Sequence, residues 1–288
     1  MTDISSSEAA AYGSRLKNQT VVLTGAASGI GREVAIRFGS FGANLVLGDL
    51  NEDGLRKVSK EVEQAGGKSV WSICDVTKWE DQVELFKLGF KTFGSINVVL
   101  PNAGVTELAE FKEEDSQGEP LPPNLKTLEI NLHAPLYSSS LAFHYFARQP
   151  VSTASLRSLV ITGSMASLFG TRPEAVQYSA SKAGVLGLMN GMKERSETEK
   201  VRLGLICPYY VQTPLLPTDF KPQVGNFSKI QDVVSAFLHA STHPDPKTSA
   251  SLYTIPDERG VFMIKQREQI PAGLAQRWSA KKAAKSRL

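Results

Sequence analysis

The chain predicts an α/β fold: one doubly wound domain with a mostly parallel, seven-stranded sheet and helices on both faces. Three observations lead there. Short runs rich in Val, Leu and Ile alternate six or seven times with helical stretches between residues 18 and 265. The first run, 20–24, opens directly onto a glycine-rich turn and a helix. Gly25, Asp49, Asp75, Asn102, Ser164 and Thr213 all fall at or just past strand ends, where sheets of this class bind their ligands.

Size and composition suit such a domain: 288 residues, 41% hydrophobic and 21% charged, enough to bury a large core. Residues 1–17 are small and polar without an apolar period, and are expected to form a loose arm. The globular part is expected to run from 18 to 265, followed by a basic tail, 266–288. The net charge is only +3, and no Lys/Arg run in the body coincides with aromatics, so neither a nucleic-acid nor a membrane-surface partner is expected. No apolar run reaches the length of a membrane span. Cys74 and Cys207 are distant in sequence, which suggests a reducing compartment. No metal site is expected, because the only His pair, His239 and His243, lacks the glutamate of a metalloprotease motif and reads as a solvated helix end beside Pro244.

The elements follow in order. After the first strand comes Gly25-Ala-Ala-Ser28-Gly29-Ile30-Gly31, then a helix to about Gly39. Strand, glycine turn and helix together let backbone N–H groups and a helix N-terminus face a pyrophosphate. A second strand, 43–47, ends at Gly48-Asp49. A carboxylate there accepts from two ribose hydroxyls and repels a 2′-phosphate. No Arg or Lys stands directly beside Asp49, and Ser28 precedes Gly29, so NAD is favoured over NADP. The alternative for Asp49 is a helix N-cap ahead of Glu52 and Asp53.

Leu55, Val58 and Val62 recur at helical spacing and Gly66-Gly67 ends that helix. A third strand, 70–73, leads to Asp75, which either caps the next helix (78–93) or bonds an adenine amino group. The fourth strand, 96–100, ends in Pro101-Asn102-Ala103-Gly104, small enough for a cofactor ring or ribose to lie against the backbone. A polar connection, 105–124, precedes one long helix at 125–149. Asn131 inside it is either solvated or marks a local interruption that turns a carbonyl toward the site. The fifth strand, 156–161, ends in Thr162-Gly163-Ser164. A helix carries Tyr178 to about residue 198, and a sixth strand, 201–206, leads into the segment from Pro208 to Thr213. Residues 214–229, with several prolines, Leu215, Leu216 and Phe220, form the expected substrate lid. A helix near 229–240 and a short strand near 259–264 complete the domain.

The chemistry centres on Tyr178 and Lys182, four residues apart and so on one helix face. A phenol is a poor base near neutrality, and a neighbouring ammonium favours its ionised form. Alone, the pair is weak and most often marks an aromatic stem with a snorkelling lysine.

The motifs taken together resemble those of the short-chain dehydrogenase/reductase family, over about residues 18–265. They are Thr24-Gly-Ala-Ala-Ser-Gly-Ile-Gly31, Asn102-Ala-Gly104, Asn131, Ser164, Tyr178-Ser-Ala-Ser-Lys182 and the Pro208 to Thr213 segment. Two positions depart: Pro101 stands where the family often has a second asparagine, and Tyr209 where a glycine usually follows the proline. The latter would narrow the nicotinamide pocket or redirect the lid. The resemblance implies a Rossmann-fold, NAD(P)-dependent oxidoreductase that interconverts a secondary alcohol and its ketone. Tyr178 would be the general acid/base, Ser164 would hold the substrate oxygen, Lys182 would bind the nicotinamide ribose and lower the phenol's pKa, and Asn131 would hold a water. Gly25, Ser28, Ile30, Gly31, Asp49, Asp75, Val76, Asn102, Gly104, Val211 and Thr213 would line the cofactor with Tyr178 and Lys182. A homodimer or homotetramer through helices 125–149 and 178–198 is the family expectation.

The lid's leucines and phenylalanine point to a fairly apolar substrate, and the resemblance to members that act on lipids and polyketide-like metabolites implies a lipid or secondary metabolite. The alternatives are a 3-hydroxyacyl-CoA dehydrogenase or 3-ketoacyl reductase and, more remotely, a non-catalytic dinucleotide sensor. The terminal Ser286-Arg287-Leu288 is a conservative variant of a peroxisomal address read by an import receptor. A peroxisomal location is therefore expected, with the cytoplasm as the alternative.

Overall fold

A computed structural model describes residues 1–108, 114–149, 156–169, 175–222 and 225–265. Its centre is a sheet in the order β1-β9-β8-β7-β6-β5-β2-β3-β4. The body is parallel: β2 (Thr20–Thr24), β3 (Asn44–Asp49), β4 (Lys68–Ile73), β5 (Val98–Leu100), β6 (Ser158–Thr162), β7 (Arg202–Pro208) and β8 (Ser251–Ile255). Two antiparallel strands extend it, β9 (Val261–Lys265) on β8 and β1 (Thr2–Ile4) on β9. The sheet thus has nine strands where seven are expected. The additions are β1 and β8; the latter's sequence, Ser-Leu-Tyr-Thr-Ile, is too polar to read as a buried strand, although all five residues are buried.

Successive residues of a strand point to opposite faces, so β2 sends Val21 and Leu23 into one core and Val22 into the other. The first core is covered by α2 (Gly29–Gly39), α3 (Glu52–Gln64) and α8 (Ile230–Thr242), and the second by α4 (Trp79–Phe93), α6 (Ala134–Phe146) and α7 (Val176–Thr198). The expected doubly wound α/β architecture is what forms.

Three expectations are corrected. Residues 1–17 are not a loose arm. Beyond β1 they form α1 (Ser6–Ala10) and a 3₁₀ turn at Gly13–Leu16, burying Ile4, Ala9 and Leu16, and the Arg15 guanidinium donates to the Thr242 carbonyl at 2.5 Å. Single apolar residues anchor this segment, so no periodicity announces it. Helix 125–149 is broken into α5 (Lys126–Leu128), a π turn at Glu129–His133, and α6. Finally, His239 is not solvated: it is 1% exposed, its Nδ1 lies 3.0 Å from the Tyr253 hydroxyl, and burial drives its pKa down to about 4. Strand β8 supplies that tyrosine from a distant segment, so no local pattern around His239 announces it.

Candidate active site

β2 is flanked by β3 on one side and β5 on the other, so the connections diverge at its carboxyl end and leave a crevice. The glycine turn sits in it. A Cβ on Gly31 would stand 2.0 Å from the Gly25 carbonyl oxygen, so that approach admits no side chain. Gly29 has φ +52°, the left-handed region that favours glycine, and a Cβ there would meet the Thr213 side chain at 3.1 Å. The loop after β7 is thereby placed against the glycine turn, with Val211 buried beside it. Ser28 is the N-cap of α2 yet provides no side-chain cap. The first turn of that helix therefore keeps backbone donors for an anion, while Ile30 packs on the core behind.

Asp49 ties two parts of this crevice together. Its Oδ2 accepts from the Ala27 N–H and its Oδ1 from the Asn51 N–H, each at 3.0 Å. The N-cap of α3 is Asn51, which accepts from the Gly54 N–H, so capping falls to its neighbour. A carboxylate has about four acceptor sites, and two remain for ribose hydroxyls. Asp75 accepts from both the N–H and hydroxyl of Thr77, bonds that hold its pKa below the usual carboxylate range. It thus shapes the turn before α4, whose N-cap is Lys78. Val76 is buried, and its carbonyl accepts from Gln82. The Asn102 side chain is spent within the protein. It donates to the carbonyls of Thr24 and Gly25 and accepts from the Thr162 hydroxyl, so three strand ends are stitched together and Asn102 lines the crevice through its backbone. Pro101 keeps the one bond its position needs, accepting from the Thr162 N–H.

Ser164, Tyr178, Lys182 and Asn131 converge at the ends of β5, β6 and β7. The Ser164 hydroxyl lies close enough to the Tyr178 phenol to favour its ionised form, and its Oγ accepts from the Ala166 N–H. Lys182 is buried, with Nζ 5.9 Å from the Tyr178 ring centroid, and donates to the Thr162 carbonyl at 3.0 Å. An ammonium has three donors, so this one keeps bonds to give. A Cβ on Gly104 would come within 3.7 Å of that nitrogen, so glycine keeps the space before it clear. Buried donors without enough acceptors, facing a glycine cradle, fit a dinucleotide's ribose and pyrophosphate.

Asn131 is buried in the π turn, so the interrupted-helix alternative is the one realised. Its side chain brackets Val105, accepting from the N–H and donating to the carbonyl, each at 2.9 Å, and reaches Ser181 Oγ at 3.3 Å. It is a pin between the loop after β5 and α7.

The electrostatics depart from expectation at one point. Burial is the largest influence on Tyr178 and pushes its pKa up, with the nearby Ser164 hydroxyl acting the other way. Lys182 does not overcome that desolvation. Its own pKa falls to about 8 through burial, so it is still largely protonated at neutral pH. Beneath both lies Cys207, its thiol pushed up to about 12 by burial and so neutral.

Sequence reasoning missed two neighbours. Tyr210 stands close enough to Tyr178 to oppose its ionisation. Tyr209 packs on it with ring centroids 4.5 Å apart, and Phe220 follows at 4.7 Å, so an aromatic ladder starts at Tyr209 and runs into the segment expected to form the lid. Glu107 accepts from the Tyr178 backbone N–H at 2.8 Å. It sits in a polar connection where no motif distinguishes it. Among the described residues no His/Cys/Asp/Glu group is arranged to hold a metal.

Comparison with known proteins agrees with this geometry. The family model described as short chain dehydrogenase matches residues 19–223. The 5'-hydroxyaverantin dehydrogenase of Dothistroma septosporum is 35% identical over 259 residues, covering 84% of this chain and 82% of that protein. A short-chain type dehydrogenase/reductase from Mycobacterium marinum superposes with a TM-score of 0.74 at 21% identity, over 84% of this chain and 95% of the other. The NADH-dependent reductase A1-R' complexed with NAD does so with a TM-score of 0.72 at 19% identity, over 85% and 97%. With a glycine turn at a sheet switch point, and a serine, tyrosine and lysine gathered beside it, the chain belongs to the short-chain dehydrogenase/reductase family and is an oxidoreductase of Rossmann-type fold.

Proposed function

We propose that this protein interconverts a secondary alcohol and its ketone on a fairly apolar substrate, using NAD in preference to NADP. The observation that carries the reading is the convergence of the Ser164 and Tyr178 hydroxyls beside the buried ammonium of Lys182, whose Nζ is 5.9 Å from the Tyr178 ring centroid. The nicotinamide, when bound, supplies or accepts the hydride. The protein's part is binding and proton movement. Ser164 orients the substrate oxygen and stabilises charge developing on it. In oxidation the Tyr178 oxygen takes the hydroxyl proton, and in reduction it returns one. Lys182 holds the ribose with its remaining donors and, being charged at neutral pH, opposes the desolvation that would keep the phenol protonated. Two free acceptor sites on Asp49 and no adjacent cation favour a ribose hydroxyl over a phosphate. The similarity to a dehydrogenase of a hydroxylated metabolite and to a reductase complexed with NAD supports the same reading.

The test is turnover of a panel of ring and chain secondary alcohols with NAD or NADP, followed by absorbance of the reduced dinucleotide. Tyr178→Phe is expected to lower kcat about 100-fold or more while leaving dinucleotide affinity within a few-fold. Unchanged turnover in that variant would remove the catalytic assignment, and tighter NADPH than NADH binding would remove the reading of Asp49. We further propose import into peroxisomes through Ser286-Arg287-Leu288, which lies outside the described residues, and assembly as a homodimer or homotetramer through α6 and α7. A fluorescent fusion whose location is indifferent to loss of those three residues, or a monomer in light scattering, would refute the respective proposal.

A further inference from the structure

The carboxylate of Glu107 raises a question that its role as a helix cap does not answer. It stands where the chain leaving β5 meets the first turn of α7. The loop around it is fixed at both ends, by Asn131 on Val105 and by the Thr127 hydroxyl, which accepts from the Leu108 N–H at 3.2 Å. One oxygen, Oε2, accepts from the Tyr178 N–H at 2.8 Å. The other, Oε1, is shielded from solvent and has no hydrogen-bond partner. Neither does the Gln177 side-chain amide, whose residue is 4% exposed and directly precedes Tyr178. A shielded carboxylate oxygen without a donor is costly, and among the described residues no Lys or Arg pairs with Glu107. Two buried acceptors, Glu107 Oε1 and Gln177 Oε1, lack a donor beside the catalytic residue's own backbone and Gln177 Nε2 lacks an acceptor, needs that a hydroxyl from outside the chain meets because it both donates and accepts.

Resting on the proposed alcohol–ketone activity, we propose that Glu107 is a specificity residue: its free oxygen accepts a hydrogen bond from a second hydroxyl on the substrate, with Gln177 alongside. The reacting carbon must lie against the Ser164 and Tyr178 hydroxyls. The same carboxylate caps the backbone end of that tyrosine through Oε2, so Oε1, and the second hydroxyl with it, lies about one tyrosine length from the phenol. An aromatic wall runs from Tyr209 through Tyr210 and Phe220 to Phe227, the last pair 6.4 Å apart. The wall reaches the site through Tyr210, beside Tyr178, so the proposed fit is a substrate whose body is flat and apolar. The substrate class is a ring alcohol or ketone carrying a free hydroxyl across the ring.

The experiment compares NAD reduction on tetralol, ring-hydroxylated tetralols and the matching methoxy-tetralols, with the wild-type protein and Glu107→Gln. The methoxy compounds keep the bulk and lose the donor. The glutamine keeps the cap on the Tyr178 N–H through its carbonyl and presents an amide donor in place of Oε1. For at least one ring position the wild-type protein should favour hydroxy over methoxy by about tenfold or more in kcat/KM. Glu107→Gln should erase that preference while its turnover of unsubstituted tetralol stays within a few-fold. Turnover without the preference, or a preference that survives in Glu107→Gln, overturns this proposal and leaves the alcohol–ketone reading standing. No turnover of any alcohol, nor of any corresponding ketone with reduced dinucleotide, overturns that reading itself and this proposal with it.

Discussion

Lys182 works against its own solvation. Burial lowers its pKa to about 8, whereas an unfolded lysine titrates near 10.4. The sign of the consequence follows from proton binding. Below about pH 8 the ammonium is charged in both states, and the folded protein bears its full desolvation cost. Between 8 and about 10.4 the unfolded chain holds more protons, so stability rises with pH, and above that the cost vanishes. The full difference is on the order of 3 kcal/mol. Lys182→Met has no such cost. It is therefore expected to gain stability over the wild type at pH 7 relative to pH 10, while losing most turnover. Denaturant unfolding of both proteins across this range checks it, and a stability difference that is flat with pH would mean that Lys182 is not desolvated. Residue-level chemistry was also the most legible part of the sequence. Ser164, Tyr178 and Lys182 declare themselves because each needs a particular functional group at a strand end or helix face. Glu107 and Tyr210 do not, because their importance comes from being folded against Tyr178.

Elements place those groups, and what they do in the site depends on how they are interrupted. The π turn at Glu129–His133 lets Asn131 face inward from a helix and bracket Val105. Asparagine inside a helical stretch is the sequence sign of such a break, but it cannot say which backbone the side chain will hold. Strand ends were legible for a related reason. A run of apolar residues that stops at Gly25, Asp49 or Asn102 marks both the strand's end and the crevice beyond it. β8 was not legible, because a strand buried on both faces needs only size and shape from Ser251, Tyr253 and Thr254. Its Tyr253 hydroxyl meets the His239 ring, and that contact between distant segments left no local mark on either.

On the scale of the whole molecule, the sheet needs its edge closed. β8 lies beside β7 in the parallel body, and β9 doubles back on it, leaving a new edge that β1 covers. An uncovered strand edge invites pairing with another chain. α1 packs on α8, which lines the core behind the cofactor crevice. The N-terminal segment therefore belongs to the stability of the fold, through Ile4, Ala9 and Leu16, with Leu16 fully buried. Two outcomes separate this from a loose arm. Leu16→Ala is expected to cost about 2–5 kcal/mol in denaturant unfolding, as for any leucine in a packed core, where a loose arm would show almost nothing. Removing residues 1–5 is expected to lower the thermal midpoint and promote concentration-dependent association, because the edge of β9 is bared while the catalytic groups are untouched. If the shortened protein kept its thermal midpoint and stayed dispersed at high concentration, β1 would be an ornament on a sheet already complete at β9.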